Sequence, residues 1–293
     1  MEYLVIAITV GGLYALMALG YALIYGCLRL INFAHGEFGT TGAYCALWSA
    51  SRFGFDGPLL FVTSAIAGAA IAVLTWVIAY RPLRHSNRSM AILTAVGASI
   101  CLQQGLSHMF GSESRAFPYL ANTRSVAIMG FKVDSLGIVT VLTVGGLLVL
   151  VHWLWKYSTI GRKVRAVADD RDNAEACGIN ANGVTILVFA FAGAVSGIAG
   201  VILASSFGRL EPTIGFAPAL KAFVAALAGG LTDPRRAALG GLALGVLETL
   251  AVAVGLSAYR DALVLSLLVF VLVVRAGATG RLAFAELGSE EQR

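Results

Sequence analysis

The chain is 293 residues long, 58% hydrophobic and only 13% charged, with a mean hydropathy of +0.82 and a formal net charge of +5. An average soluble domain is about half apolar and about a quarter charged, so these values exclude an ordinary soluble domain and describe a polytopic membrane protein. The surplus of Lys and Arg is spread over short segments between apolar runs, where it reports topology, and nucleic acid is not an expected partner.

Tyr3 to Leu28 contains no charged residue. Met1-Glu2 ahead of it lacks the basic segment of a cleaved signal peptide, so the run is read as a retained first span. Gly57 to Tyr80, Ser89 to Ser107, Ser135 to Trp155 and Ala176 to Gly208 are likewise uncharged. Each run is near or above the roughly 20 residues that a helix needs to cross hydrocarbon. The runs are continuous, without the alternation of barrel strands, and helices satisfy their own backbone polar groups in lipid. Phe38 to Ser51, the runs around Lys221 and Glu248, and Ala262 to Val274 are shorter or carry one charge, predicting further spans or half-spans. The expected fold is an all-α polytopic membrane protein. It is one transmembrane domain over residues 1–293, a bundle of about 8–9 transmembrane helices with short or re-entrant segments. With Met1 outside and nine spans, 14 of the Lys and Arg residues lie inside and six outside, as the positive-inside rule asks.

After the first span the string "INFAHGEF" places Asn32, Phe33, His35 and Glu37 where one helix stops and the next starts. Glu37 suits the first turn of that second helix, whose dipole favours an anion. Further along, Phe110 to Asp134 is long enough for a small external hairpin or re-entrant piece. Cys27, Cys45, Cys101 and Cys177 are widely spaced and form no disulfide or metal pattern.

The inside segment "KYSTIGRKVRAVADDRDNAEACGINANGV" concentrates charge: Arg162, Lys163, Arg165, Asp169, Asp170, Arg171, Asp172 and Glu175. Asp172 or Asn173 is placed to cap a short helix with Glu175 in its first turn, and Gly178 to supply a left-handed C-terminal residue. Such a segment is either a solvated loop or a helix that fits a groove on a partner. Beyond it, "GAVSG" (Gly193, Gly197) and "GLALG" (Gly241, Gly245) have the small-xxx-small spacing of closely packed membrane helices. No internal repeat is legible by eye.

Lys221 and Glu248 fall inside apolar runs. An ionisable group there costs at least about 2.5 kcal/mol on insertion scales, so each is a pathway candidate unless it snorkels to an interface or pairs within the bundle. A Lys221 to Glu248 pair is one such arrangement. No phosphate loop, zinc-protease motif or recognisable catalytic triad occurs, so the chain is not expected to be an enzyme.

Several stretches together resemble one family from about residue 10 to residue 275: "GLYALMALGYALIYGCLRLINFAHGEF", "YRPLR", "GRKVRAVADDRDNAEACGIN", "AGAVSGIAGVI" and "GFAPALKAFVAALAGG". They are similar to the LivH-type permeases of branched-chain amino acid ABC importers. The resemblance implies a permease subunit of the bacterial plasma (inner) membrane, surrounded by lipid. Its implied partners are a second, related permease, two cytoplasmic ATPases that bind ATP and Mg, and a periplasmic or extracellular substrate-binding protein. No cofactor is implied in this chain.

Under the resemblance, residues 157–183 form the coupling loop, with Arg162, Arg165, Asp169, Asp170, Ala174, Glu175 and Gly178 facing the ATPase. Asn32, Phe33, His35 and Glu37 then shape a gate or helix junction near the cytoplasmic side, and Lys221 and Glu248 remain pathway candidates. Related permeases serve urea, amides and other small carboxylates, which stay open as substrates. An ion-coupled secondary transporter is the alternative mechanism. The chain departs from the family pattern at "LTDPRR", with Asp233, Arg235 and Arg236, and at "RAGATG", which lacks the usual proline.

Overall fold

A computed structural model describes residues 2–29, 31–83, 88–117, 126–128, 131–133 and 135–264, with residues 266, 267, 270 and 273. The first helix, α1 (Glu2–Leu28), is apolar all round, a pattern that suits a helix surrounded on every side. Ala15, Leu16, Met17 and Ala18 are accordingly fully buried. Arg29 takes a left-handed conformation, φ 55°, and the chain folds back into the bundle before α2 (His35–Phe53) begins. Gly54, φ 69°, closes α2 with a left-handed cap. Helix α3 (Pro58–Thr75) starts on a proline, where the missing N–H costs nothing, and runs on into a π-helical turn, Trp76–Tyr80.

Helix α4 (Arg88–Phe110) leads to strand β1 (Arg115–Ala116) and the hairpin of β2 (Val126–Ile128) and β3 (Phe131–Val133), which meets the expected hairpin. Then come α5 (Ser135–Tyr157), the short α6 (Thr159–Asp169) and α7 (Arg171–Ala176), and the long α8 (Ala181–Phe207). Strand β4 (Arg209–Leu210) pairs antiparallel with β1. Helices α9 (Phe216–Gly229) and α10 (Pro234–Ala253) follow, and residues 260–264 are helical again. The bundle thus has a hairpin end and, opposite it, an α6–α7 end.

Five described helices are long and apolar enough to cross a membrane: Ile6–Leu28, Pro58–Tyr80, Gly137–Tyr157, Ala181–Phe207 and Pro234–Ala253. Four match the longest uncharged runs. The fifth carries Glu248, expected only as a shorter or one-charge run, whereas α4 is long but more polar. The run Ala176 to Gly208 is shortened at its start, because Asn180 caps α8 by accepting from Gly183 N at 2.9 Å. Six of the thirteen residues from Ala262 to Val274 and all of "RAGATG" lie outside the described residues. Asp233, one of the departures, caps α10 through Arg235 N at 3.0 Å.

Packing reveals a repeat that the sequence hides. Helix α1 packs antiparallel to α10, where a Cβ on Gly245 would strike the backbone of Gly11 and one on Gly241 that of Ala15. Helix α8 packs antiparallel to α3 in the same way: Gly193 abuts Gly68, and Gly197 abuts Ser64. Exchanging α1 for α8, α2 for α9 and α3 for α10 carries one contact set onto the other. It carries the contact between Gly36 and Gly215 onto itself. Helix α1 ends at the α6–α7 end while α8 starts there, so the two halves are inverted. In each half a break follows the long helix, and the two short helices α2 and α9 meet by their first turns.

Candidate functional site

The sequence-predicted junction residues lie deeper than the break in the first run suggests. Asn32, His35 and Glu37 are buried and Phe33 is half-buried. The His35 ring rests against Gly20, eight residues before the end of α1 and therefore about 12 Å along its axis. It packs against the Tyr21 ring at 4.7 Å and edge-on to Phe38 at 5.8 Å. The position is interior because the chain returns into the bundle before α2 starts, so the polar string is not at the membrane face.

Each junction residue ties α2 to a different helix. Asn32 Oδ1 accepts from Ala34 N at 3.0 Å, an Asx turn that starts the entry into α2, and from the Tyr80 hydroxyl at 2.7 Å at the end of the π turn. Ser196 of α8 donates to the His35 carbonyl at 2.9 Å. Glu37 Oε1 accepts from Gln103 Nε2 at 2.8 Å and from Ser99 Oγ at 3.2 Å, both on α4. Phe33 and Tyr21 reach Phe223 of α9 at 6.2 and 5.6 Å. Of these bonds, only the Asx turn stays within the string.

Lys221 and Glu248 are brought together. Lys221 Nζ lies 2.8 Å from Glu248 Oε1 and 2.7 Å from Asp261 Oδ1. Tyr14 donates to the other Glu248 oxygen at 2.7 Å, and Arg260 Nε approaches Glu248 and Asp261 at 3.9 and 3.8 Å. Two cations thus face two anions. The Lys221 ammonium donating to its carboxylate holds Asp261 below the usual carboxylate range, with its slight burial opposing. The Lys221 ammonium is bound on both sides, the paired arrangement that the sequence allowed.

This cluster forms part of the wall of a cavity of about 690 Å³. Ile6, Val10, Leu13, Leu203 and Ile214 supply an apolar remainder, while Phe207, Arg209 and Glu211 lie at the hairpin end. Tyr14, Arg260 and Asp261 were not legible as partners of Lys221 and Glu248. The one signal for the last two was an adjacent Arg-Asp pair just ahead of the final apolar run.

At the other end, α6 is amphipathic. Gly161, Val164 and Val167 turn inward at helical spacing while Arg162 and Lys163 are exposed. Ser158 caps α6, accepting from Gly161 N at 3.0 Å. Asp170, rather than Asp172 or Asn173, caps α7: it accepts from Asn173 N at 2.9 Å, which moves Glu175 out of the first turn. Gly178 is left-handed as expected, φ 81°. Asp169, Asp170, Glu175 and Gly178 share the exposed surface. Ala174 is buried beneath them, and Arg165 folds back to the Trp155 carbonyl. Arg171 pairs with Glu175 at 3.3 Å and with Asn182 Oδ1 at 2.8 Å, fastening α7 to the start of α8.

Comparison with known proteins matches residues 3–274 to the family described as "Branched-chain amino acid transport system / permease component". The high-affinity branched-chain amino acid transport system permease protein LivH of Salmonella typhimurium is 36% identical over 94% of this chain and 93% of its own length. BraD of Pseudomonas aeruginosa, with the same description, is 34% identical over 96% of each chain. The ribose import permease RbsC of Escherichia coli is more distant, at 26% over 89% of this chain and 81% of its own. Among solved structures, PsaBC from Streptococcus pneumoniae in complex with Fab shares the fold, with a TM-score of 0.51 and 12% identity over 94% of this chain and 91% of that one.

Proposed function

This chain belongs to the branched-chain amino acid transport permease family, and from that premise we propose that it translocates branched-chain or related small amino acids as the membrane subunit of an ABC importer. The observation that carries this reading is the cavity toward the hairpin end, whose wall joins apolar side chains to the charge-balanced cluster of Lys221, Glu248, Arg260 and Asp261. An amino acid with an aliphatic side chain has the same two kinds of surface. In this reading the hairpin end faces the outside and receives substrate from a periplasmic or extracellular binding protein. The α6–α7 end faces the cytoplasm of a bacterial inner membrane, as the distribution of Lys and Arg supports.

Import then needs the outer cavity to close as a path opens toward α6 and α7. Rocking of inverted halves about a shared midpoint is one way to do this, and the head-to-head contact of Gly36 with Gly215 lies at that midpoint. Asn32, His35 and Glu37 act as the junction that carries the motion, since they fasten α2 to α3, α4 and α8. Phe33 lines the junction beside Phe223. The exposed surface of α6 and α7, with Arg162, Asp169, Asp170, Glu175 and Gly178, receives one of two ATPase subunits, where ATP and Mg are bound. Arg165 and Ala174 hold that surface to the bundle. A second, related permease completes the pathway.

Reconstitution tests the reading. The complete complex, with ATP at the ATPases and loaded binding protein on the opposite side, should accumulate labelled leucine in liposomes, and this chain alone should not. Leucine uptake by the isolated chain on a sodium or proton gradient, insensitive to ATP, would replace the importer with a secondary transporter.

A further inference from the structure

We propose that Lys221 carries a transient subsite for the carboxylate of an α-amino acid, and that Asp261 is the resident carboxylate which the substrate displaces. The inference rests on the amino acid reading above and adds how the cavity recognises that class. Lys221 holds two carboxylates that differ sharply in circumstance. Glu248 is 7% exposed at its side chain and also accepts from Tyr14, whereas Asp261 is 67% exposed. Withdrawing the buried partner would leave a charge uncompensated in an apolar setting, which is strongly unfavourable. A pair with one carboxylate in solvent separates more readily, since water takes up the departing Asp261. The cluster is therefore built with one fixed anion and one exchangeable anion.

An incoming carboxylate on Lys221 replaces like with like. Asp261 retains Arg260, already 3.8 Å away, so neither displaced charge is abandoned. The substrate ammonium, one carbon from its carboxylate, then lies within reach of Glu248. A zwitterion leaves the cluster neutral. A simple carboxylate adds a negative charge beside Glu248, and an amide brings no carboxylate to compete with Asp261. The subsite thus favours α-amino acids over both, and because exchange is nearly even it releases them as easily, as a transporter requires.

The test is titration of L-leucine into the complete permease–ATPase complex in detergent, without binding protein, followed by saturation-transfer NMR. Asp261→Asn, which removes the competitor, should tighten leucine binding by about threefold to fivefold, the scale of one exposed ion pair. Lys221→Arg should retain binding and Lys221→Met should abolish it. Leucinamide and 4-methylpentanoate, which lack the carboxylate and the ammonium respectively, should each bind at least about tenfold more weakly, since each forgoes a charge-assisted contact. Unchanged leucine binding in Asp261→Asn, or leucinamide binding equal to leucine, overturns the proposal even if Lys221→Met fails to fold. Leucine import by the wild-type complex, with neither effect seen in Asp261→Asn or with leucinamide, refutes the subsite alone. A wild-type complex that imports no branched-chain amino acid refutes the reading beneath it.

Discussion

Tyr14 and Glu248, 234 positions apart, are joined by a 2.7 Å hydrogen bond from phenol to carboxylate. The bond crosses the antiparallel contact of α1 with α10 and fixes the carboxylate that Lys221 holds from its other side. Tyr14→Phe removes the donor and leaves a buried carboxylate oxygen without it, a loss of about 1–3 kcal/mol. We expect a lower unfolding temperature of the purified complex in detergent. Glu248→Gln in the Tyr14→Phe background should deepen the loss, because it takes from Lys221 its buried counter-charge.

The two glycine crossings should tolerate no side chain. Gly193→Ala drives a Cβ into the Gly68 carbonyl, and Gly68→Ala does the reverse. Overpacking of this kind typically costs about 1–3 kcal/mol, and here backbone meets backbone, so little can yield. Gly97 of α4 has nothing within 4 Å of an added Cβ, so Gly97→Ala should be neutral or slightly stabilising through helix propensity. Equal thermal stability of Gly193→Ala and Gly97→Ala would contradict this packing.

Asn32 holds the entry to α2 through one oxygen that serves two donors, Ala34 N and the Tyr80 hydroxyl. Asn32→Ala leaves both donors buried and unmet. Tyr80→Phe removes one donor and leaves the Asx turn intact. We therefore expect Asn32→Ala to lower leucine uptake far more than Tyr80→Phe in reconstituted complex, with ATP hydrolysis persisting in Asn32→Ala. Equal uptake by the two variants would remove Asn32 from the junction.

Asp170 caps α7, and loss of a cap costs about 1 kcal/mol. In a helix of six residues, held otherwise by Arg171 and the buried Ala174, one cap is a large share. Asp170→Ala should reduce substrate-stimulated ATP hydrolysis several-fold, and Asp170→Ser, which also caps, should recover most of it. Asp170→Ser behaving like Asp170→Ala would mean that the charge, not the cap, contacts the ATPase.

The parts of the fold that were legible are those whose physics is local. Uncharged runs located α1, α3, α5 and α8, and the four-residue spacings of Gly193 with Gly197 and of Gly241 with Gly245 located the helix crossings. Gly178 announced its turn. What escaped depended on position in space. Nothing near residue 32 indicates that the chain turns inward before α2, so Asn32 and His35 read as an interfacial break. Asp170 and Asp172 are equally good caps in isolation, and the choice follows from where α6 ends. The inverted repeat is carried by a few glycines at matching depths, too few to register as similarity. Tyr14 reads as one more aromatic in an apolar helix until α10 is laid against it.

The balance of the Lys221 cluster has an electrical consequence. Membrane voltage acts only on net charge that moves, at about 2.3 kcal/mol per elementary charge per 100 mV. Lys221 and Arg260 are matched by Glu248 and Asp261, and a zwitterion passing among them adds nothing to the sum. On the proposed route the substrate step is therefore electrically silent. A cell whose membrane has been depolarised should keep this route of uptake for as long as it can hydrolyse ATP.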